Sequence, residues 1–262
     1  MKFCTLFSGS SGNSLFVSSG DTKILVDAGL SGKRVEQALA QIDELAGQIG
    51  GILVTHEHRD HIHGVGVLSR RYHIPIYANF ATWEAMRADL GKIDEANVQV
   101  FETGSPFVVG DFRINAFRTS HDAAESVGFV IEDGRASVGI ATDTGIVTED
   151  IVTALKGRDL VVIESNHDPS MLEAGSYPFP LKQRIKGDRG HLSNEICGET
   201  VKTLVKAGLD KVVLGHLSEE NNYPLLAYQT TARILGEADM AVGRDLSLDV
   251  AARKHCGEIY KL

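Results

Sequence analysis

Val54-Thr55-His56-Glu57-His58-Arg59-Asp60-His61 sets two imidazoles two residues apart, then a carboxylate and a third imidazole, directly after the apolar run Gly51-Ile52-Leu53. The apolar run reads as a buried strand, Gly51–Thr55, and the polar cluster is what leaves its end. Imidazole and carboxylate are ligand types that Zn, Mn and Fe accept. In extended backbone His56 and His58 fall on the same side, so both can reach one ion. A turn at Asp60-His61 brings a second pair round to a second ion. A surface loop that only happens to hold three histidines rarely follows an Ile-Leu-Val-Thr strand so directly, so the segment is read as metal-binding.

On both sides of this segment short apolar strands alternate with amphipathic helices. Upstream, Lys2–Phe7, Ser14–Val17 and Lys23–Asp27 read as strands. Ser31 then caps a helix whose apolar positions Val35, Ala38, Leu39, Ile42, Leu45 and Ala46 follow the three-four spacing of a buried stripe. Downstream, the pattern predicts a helix near Val65–Tyr72, a strand at Ile74–Ala78 and a helix at Phe80–Leu90. Strands follow at Val98–Phe101, Phe107–Val109, Phe112–Arg118, Ser126–Glu132 and Ser137–Ala141, with Gly110-Asp111 and Asp133-Gly134 as turns. Thr148–Lys156 reads as helical and Leu160–Glu164 as another buried strand. Ser193 caps a second clear amphipathic helix, Lys211–Leu214 is a strand, Pro224 opens a helix to about Gly236, and Leu246–Val250 closes the sheet. This is the pattern of sheets covered by helices, an α/β architecture, and no boundary divides it, so residues 1–262 are read as one domain.

Composition narrows the function. The 262 residues are 43% apolar and 23% charged, enough for a substantial core under a polar surface. No apolar run approaches the roughly 20 residues that span a bilayer. The opening MKFCTLFSGSSGNS is a poor secretion signal and a good first strand, so a cytoplasmic protein without membrane attachment is expected. Cys4, Cys197 and Cys256 are far apart and odd in number, which suits neither a disulfide framework nor a CxxC metal pair. The net charge of -9 repels nucleic acid from the molecule as a whole, so any polyanion must bind at a local basic patch. Leu181-Lys182-Gln183-Arg184-Ile185-Lys186-Gly187-Asp188-Arg189 carries four cations and one anion, and Arg184, Lys186 and Arg189 are its candidate phosphate contacts. Arg70-Arg71 and Lys33-Arg34 add positive charge near the predicted loops. Few aromatics flank the basic stretch, so base-stacking platforms are not expected.

Three further polar positions have a chemical reading. Ser10, Ser11 and Asn13 lie on a glycine-rich loop that can offer N–H groups and side-chain donors to phosphate, although a tight turn explains the glycines equally well. His191 stands just before the Ser193 cap, near a positive helix end suited to phosphate. His167 follows the strand Leu160–Glu164 and is a candidate substrate contact, with a capping role as the alternative. His63, His73 and His255 have no partner pattern and are read as structural.

The HxHxDH spacing resembles the signature of the metallo-β-lactamase fold superfamily. That resemblance implies an αββα sandwich of two mixed sheets flanked by helices, with the metals at one edge where loops meet. It also implies further ligands, for which His121 in RTSHD, Asp143 in ATDTG and His216 in VVLGHLS are the matching residues. On this reading His56, His58, His121 and Asp143 hold one divalent ion, and Asp60, His61, Asp143 and His216 hold the other. Asp60 orients the attacking water as well as binding metal. Flavodiiron reductases share the fold but typically carry Glu where this chain has His58, which favours hydrolysis over redox chemistry.

Within the superfamily the chain is most similar to the YycJ/WalJ-type proteins. The matching pieces are FSGSSGNS (7–14), VDAG (26–29), THEHRDHIHGVGVLSRRY (55–72), ATDTG (141–145), ESNHD (164–168), GHLSNE (190–195) and LGHLSEENN (214–222). The resemblance implies a ribonuclease Z-like nuclease that trims DNA from a 5′ end with manganese. It makes His191 the non-ligand histidine that contacts the scissile phosphate and protonates the leaving oxygen. Two cations a few Å apart can generate hydroxide from water at neutral pH and stabilise charge on a phosphoryl or carbonyl oxygen. That chemistry would also serve a small ester, thioester or lactam, and a non-catalytic nucleic-acid-binding module is a third reading.

Overall fold

In the computed structural model, which describes residues 1–262, the chain forms two seven-stranded sheets. The first half supplies β1 (Lys2–Phe7), β2 (Ser14–Ser19), β3 (Thr22–Val26), α1 (Gly32–Gln41), β4 (Gly51–Leu53), α2 (Arg59–Ile62), α3 (Val65–Tyr72), β5 (Ile76–Asn79), α4 (Phe80–Leu90) and β6 (Val98–Phe101). The second half supplies β7 (Phe107–Val109), β8 (Phe112–Arg118), β9 (Val127–Glu132), β10 (Ser137–Ala141), α5 (Glu149–Leu155) and β11 (Leu160–Glu164). It continues with α6 (Pro169–Ala174), α7 (Phe179–Lys186), α8 (Asn194–Lys206), β12 (Lys211–Gly215), α9 (Pro224–Gly236) and β13 (Ser247–Val250). β14 (Ile259–Lys261) then returns to the first sheet, antiparallel to β1.

Both sheets follow one plan. In the order β14-β1-β2-β3-β4-β5-β6 the first three pairings are antiparallel and the last three parallel. The order β7-β8-β9-β10-β11-β12-β13 repeats the same sequence of directions. Parallel neighbours need crossover connections, and helices supply them on the outer face of each sheet.

Strand periodicity explains the layers. Along β11 Leu160 and Val162 enter the core between the sheets, whereas Val161 and Ile163 face the outer core with Cys197, Val201 and Leu204 of α8. Phe112, Ile114 and Phe129 meet Phe3, Val17 and Ile24 across the sandwich. Val35 and Leu39 of α1, Leu68 of α3 and Trp83 and Met86 of α4 cover the other side of the first sheet. Four layers result, helix–sheet–sheet–helix, as the family resemblance implied. Strands buried on both faces read as continuous apolar runs, and this is why the parallel strands were visible in the sequence.

Several expectations need correction. The first helix ends at Gln41, because Asp43 adopts a left-handed backbone (φ 60°) that a helix cannot pass through. Leu45, expected in its buried stripe, is exposed. Ser31 occupies the cap position but its side chain makes no capping bond, whereas Ser193 Oγ does accept from the Ile196 N–H. Asp60-His61 lies in a single helical turn, α2. β14, α6 and α7 were not foreseen.

The loops before β2 and after β3 are both stitched to α2 by backbone bonds, Asn13 N–H to Asp60 O (2.8 Å) and Ala28 N–H to His61 O (2.9 Å). Gly29 sits inside this stitch: a Cβ there would lie 1.6 Å from Asp60 O and 2.6 Å from Asn13 N. Gly29→Ala must therefore shift α2. We expect it to lower stability by at least about 1–3 kcal/mol, the range for overpacking a tight site. A thermal melt reads the loss, and a Tm equal to wild type would contradict it.

Candidate metal centre

The carboxyl ends of β3, β4, β10, β11 and β12 meet at one edge, and the polar side chains that leave them converge there. Asp27 (φ 61°), Asp143 (φ 55°) and His216 (φ 54°) all take left-handed backbone just past a strand. For residues other than glycine this costs on the order of 1–3 kcal/mol each and persists only where the surroundings enforce it. Here the enforcement is visible at His216, whose N–H donates to Ser8 Oγ at 2.8 Å, and at Asp27, whose carboxylate accepts from Thr55 N–H and Oγ–H at 2.9 and 2.8 Å.

All seven sequence-nominated ligands come together. Ligand atoms of His56, His58 and His121 lie within 4.8 Å of one another, as do those of Asp60, His61 and His216. Asp143 lies between the two groups: Oδ2 is 3.3 Å from His61 Nε2, and Oδ1 is 3.8 Å from His121 Nε2 and 3.3 Å from His216 Nδ1.

Most of the imidazoles are held by their outer nitrogen. His56 Nδ1 donates to Thr55 Oγ1 (3.0 Å), His61 Nδ1 to Asp27 (2.7 Å), His121 Nδ1 to Gly190 O (3.0 Å) and His216 Nδ1 to Glu164 (2.8 Å). Each leaves Nε2 for the centre. His58 is the reverse, with Nδ1 inward, 3.3 Å from His121 Nε2. Such outer partners fix tautomer and ring orientation in metal sites.

Three buried atoms have no hydrogen-bond partner at this centre: His56 Nε2, Asp143 Oδ2 and His216 Nε2. Buried polar atoms are rarely left unpaired, and these are the atoms a cation would take. The electrostatics agree. Burial alone would lower His61, but Asp143, Asp27 and Asp60 outweigh it and raise it to about 9. Burial is likewise outweighed at His216, which Asp143, Asp60 and Glu164 hold well above its ordinary value. His56, deepest among the other imidazoles, is pushed far down by burial and by His61 and His121. Asp60 is held below the carboxylate range because His61 and His216 overcome its burial. The half of the centre around Asp60, His61, Asp143 and His216 thus favours added positive charge, which a divalent cation supplies. A surface depression of about 670 Å³ around Met1, Asp111 and Asp133 lies at the opposite strand ends and contains none of these groups.

A family model described as the beta-lactamase superfamily domain matches residues 22–217. The chain belongs to the metallo-β-lactamase superfamily. Exodeoxyribonuclease WalJ of Streptococcus pneumoniae is 43% identical to it over 94% of this chain and 93% of that protein. Exodeoxyribonuclease YycJ of Bacillus anthracis is 40% identical over 93% and 92%. The crystal structure of YhfI from Bacillus subtilis, a metallo-beta-lactamase fold protein, superposes with a TM-score of 0.74 at 18% identity, covering 98% of each chain. Members of this superfamily that hydrolyse with metals use divalent ions, and the donor set here suits them.

Beyond the ligands, this metallo-β-lactamase chain places its other nominated residues unevenly. His191 lies at the centre: Nδ1 donates to Glu164 at 2.7 Å, and its ring centroid is 5.0 Å from that of His121 and 5.3 Å from that of His216. His191, Ser10 and Arg184 line a cavity of about 160 Å³ beside the cluster. Ser11 is exposed and outside it. Asn13 is buried, and its side chain serves the site's architecture, accepting from Gly9 N–H (2.9 Å) and reaching His61 Nε2 (3.0 Å). The Gly9–Asn13 loop therefore spends much of its donor capacity on itself. His167 is buried beside the start of α8, lines neither the cluster nor the cavity, and is pushed down to about 4 by burial.

The basic stretch is matched by local partners. Arg184 makes a two-pronged pair with Asp122, Lys186 pairs with Glu173, and Arg189 donates to the carbonyls of His121 and Ala123. Arg71 pairs with Glu36, and Arg70 donates to Leu90 O. The expected row of free cations is thus a set of struts, and Arg189 and Arg184 brace the His121 loop.

Two functional carboxylates went unnominated. Asp27 holds His61, and Glu164, fully buried, holds His191 and His216 through Oε1 and accepts from Thr144 and Leu192 N–H through Oε2. With both oxygens engaged, Glu164 orients ligands and is not itself free to be one. The signal was available: each is the acid that ends an otherwise apolar strand, KILVD and LVVIE. Asp27→Ala should weaken metal binding about 10–100-fold, the usual range for an outer partner of a ligand. Titration with a competing chelator checks this, and wild-type affinity would remove Asp27 from the site.

Proposed function

We propose that this protein is a two-metal exodeoxyribonuclease that hydrolyses phosphodiester bonds from a 5′ end, with Mn or Zn as the resident ion. The observation that carries the reading is His191. Its Nδ1 is taken by a fully buried carboxylate, so it offers the cleft Nε2 alone, at the edge of a cavity that adjoins the ligand cluster. Burial would lower its pKa, but the charges of Glu164 and Asp143 outweigh that and raise it, which favours the protonated ring. A departing deoxyribose oxygen needs such a proton. A thioester's thiolate leaves without one, and this favours phosphodiester over thioester cleavage. The relatives that match nearly the whole chain carry the name exodeoxyribonuclease, which supports the same substrate class.

His56, His58, His121 and Asp143 would hold one divalent cation, and Asp60, His61, Asp143 and His216 the other. When bound, the pair would supply an activated water at neutral pH and stabilise charge on a phosphoryl oxygen. Asp60 stays ionised and lies next to both His61 and His216, where it can orient a water. The test is Mn-loaded protein on end-labelled single- and double-stranded DNA, beside thioesters and β-lactams. Mononucleotides released from the 5′ end support the reading. Intact DNA with turnover of a thioester or lactam overturns it.

A further inference from the structure

We propose that Tyr177 is a base-stacking residue and that the cavity beside His191 receives the terminal base of the strand being degraded. This rests on the nuclease reading and adds to it the part of the substrate that is recognised.

The sequence argued against a stacking platform, yet Tyr177-Pro178-Phe179-Pro180 stands immediately before the basic stretch. The structure brings Tyr177 to the wall of the 160 Å³ cavity that His191 also lines. The corner that carries it is braced. Lys182 Nζ donates to Glu173 O at 2.6 Å, and Lys186 pairs with the Glu173 carboxylate, tying α7 to α6. Pro178 restricts the backbone of Tyr177 to extended conformations. At Gly175 a Cβ would meet Asn221 Oδ1 at 2.6 Å and Met171 O at 2.8 Å, so the chain before Tyr177 is packed as well. Tyr177 is half-buried and its hydroxyl has no hydrogen-bond partner, so the ring is held by its corner and not by a polar anchor.

Charge and size select the occupant. The one permanent cation of the cavity, Arg184, is paired with Asp122, which lines the same cavity. Apart from His191, which borders the ligand cluster, a phosphate would find no unpaired cation there, whereas a neutral heterocycle would find an aromatic wall, the aliphatic side chains of Leu181 and Ile185, and polar edges from Ser10 and Asn166. The volume equals that of about five waters in the liquid. That accepts one base and not a base pair. Because His191 borders both spaces, a base in the cavity lies beside the reacting phosphate, as removal of terminal nucleotides requires.

The experiment crosses two changes. Mn-loaded wild type, Tyr177→Ala and Tyr177→Phe are assayed on single-stranded DNA with a 5′-terminal base or with a tetrahydrofuran abasic residue at that end. On normal ends Tyr177→Ala should raise KM about 5- to 150-fold, the range for loss of one base–aromatic contact. Wild type should suffer the same rise on abasic ends, and there the two proteins should converge. Tyr177→Phe, which keeps the ring, should retain the preference for a base. Fluorescence of a 5′-terminal 2-aminopurine, on DNA with a phosphorothioate first linkage, should be quenched by wild type and Tyr177→Phe but not by Tyr177→Ala. An equal KM rise for Tyr177→Ala on both ends, or no rise on either, overturns the stacking role. A wild type inert on both DNAs sinks the nuclease reading and this inference with it.

Discussion

Replacing Asp143 by alanine is expected to abolish DNA cleavage and to leave fewer than two ions per chain. Asp143 is the only carboxylate within 4 Å of ring nitrogens of histidines from both groups, His61 and His216 on one side and His121 on the other. Outer partners of metal ligands are worth about 10–100-fold each, so loss of an oxygen donor shared by two ions should cost about 10³-fold or more in rate. Asp143→Asn separates charge from shape: asparagine tolerates the left-handed backbone at φ 55°, so its loss of metal reflects the missing charge and not a refolded loop. Elemental analysis of the purified variants and end-labelled DNA cleavage give the two readouts. Two retained ions and a rate within tenfold of wild type would refute the bridging role.

His191→Ala has the second largest expected effect, and it differs in kind. The rate should fall about 10²- to 10⁴-fold, the span attributed to a positioned acid or base, with metal content at the wild-type level. A depleted ion count in His191→Ala would make it a ligand and remove the proton-donor role. The pH dependence gives an independent check. Glu164 and Asp143 raise the His191 pKa against the effect of burial, so the donor is protonated below that raised value. Activity that depends on it is lost as pH rises through the pKa, and the alkaline fall should be absent from His191→Ala. Glu164→Gln should be worse than His191→Ala in one respect, because Glu164 also holds His216 and its loss should reduce metal binding.

How much of this was legible follows from what each residue's signal depends on. The ligand run from His56 to His61 is local: residue types and spacing alone put imidazoles and a carboxylate at a strand end. His121, Asp143 and His216 each follow a strand as the sequence implied, but their meeting with the His56–His61 run required the two sheets to stack face to face. Glu164 and Asp27 were passed over because a carboxylate ending an apolar strand looks like a solvated turn until its burial is known. The basic stretch misled for the opposite reason: Lys186 and Arg184 read as free charge because Glu173 and Asp122 lie 13 and 62 positions away.

The sequence by itself determined the succession of strands and helices and the ligand character of the His56–His61 run, since strand alternation, helical stripes and ligand spacing are all short-range patterns. Only the tertiary structure decided which side chains are free to act. Availability depends on partners brought from elsewhere in the chain. Packing fixed His191 against Glu164, turned the candidate phosphate clamps into struts, and set an unremarked tyrosine beside the reacting centre.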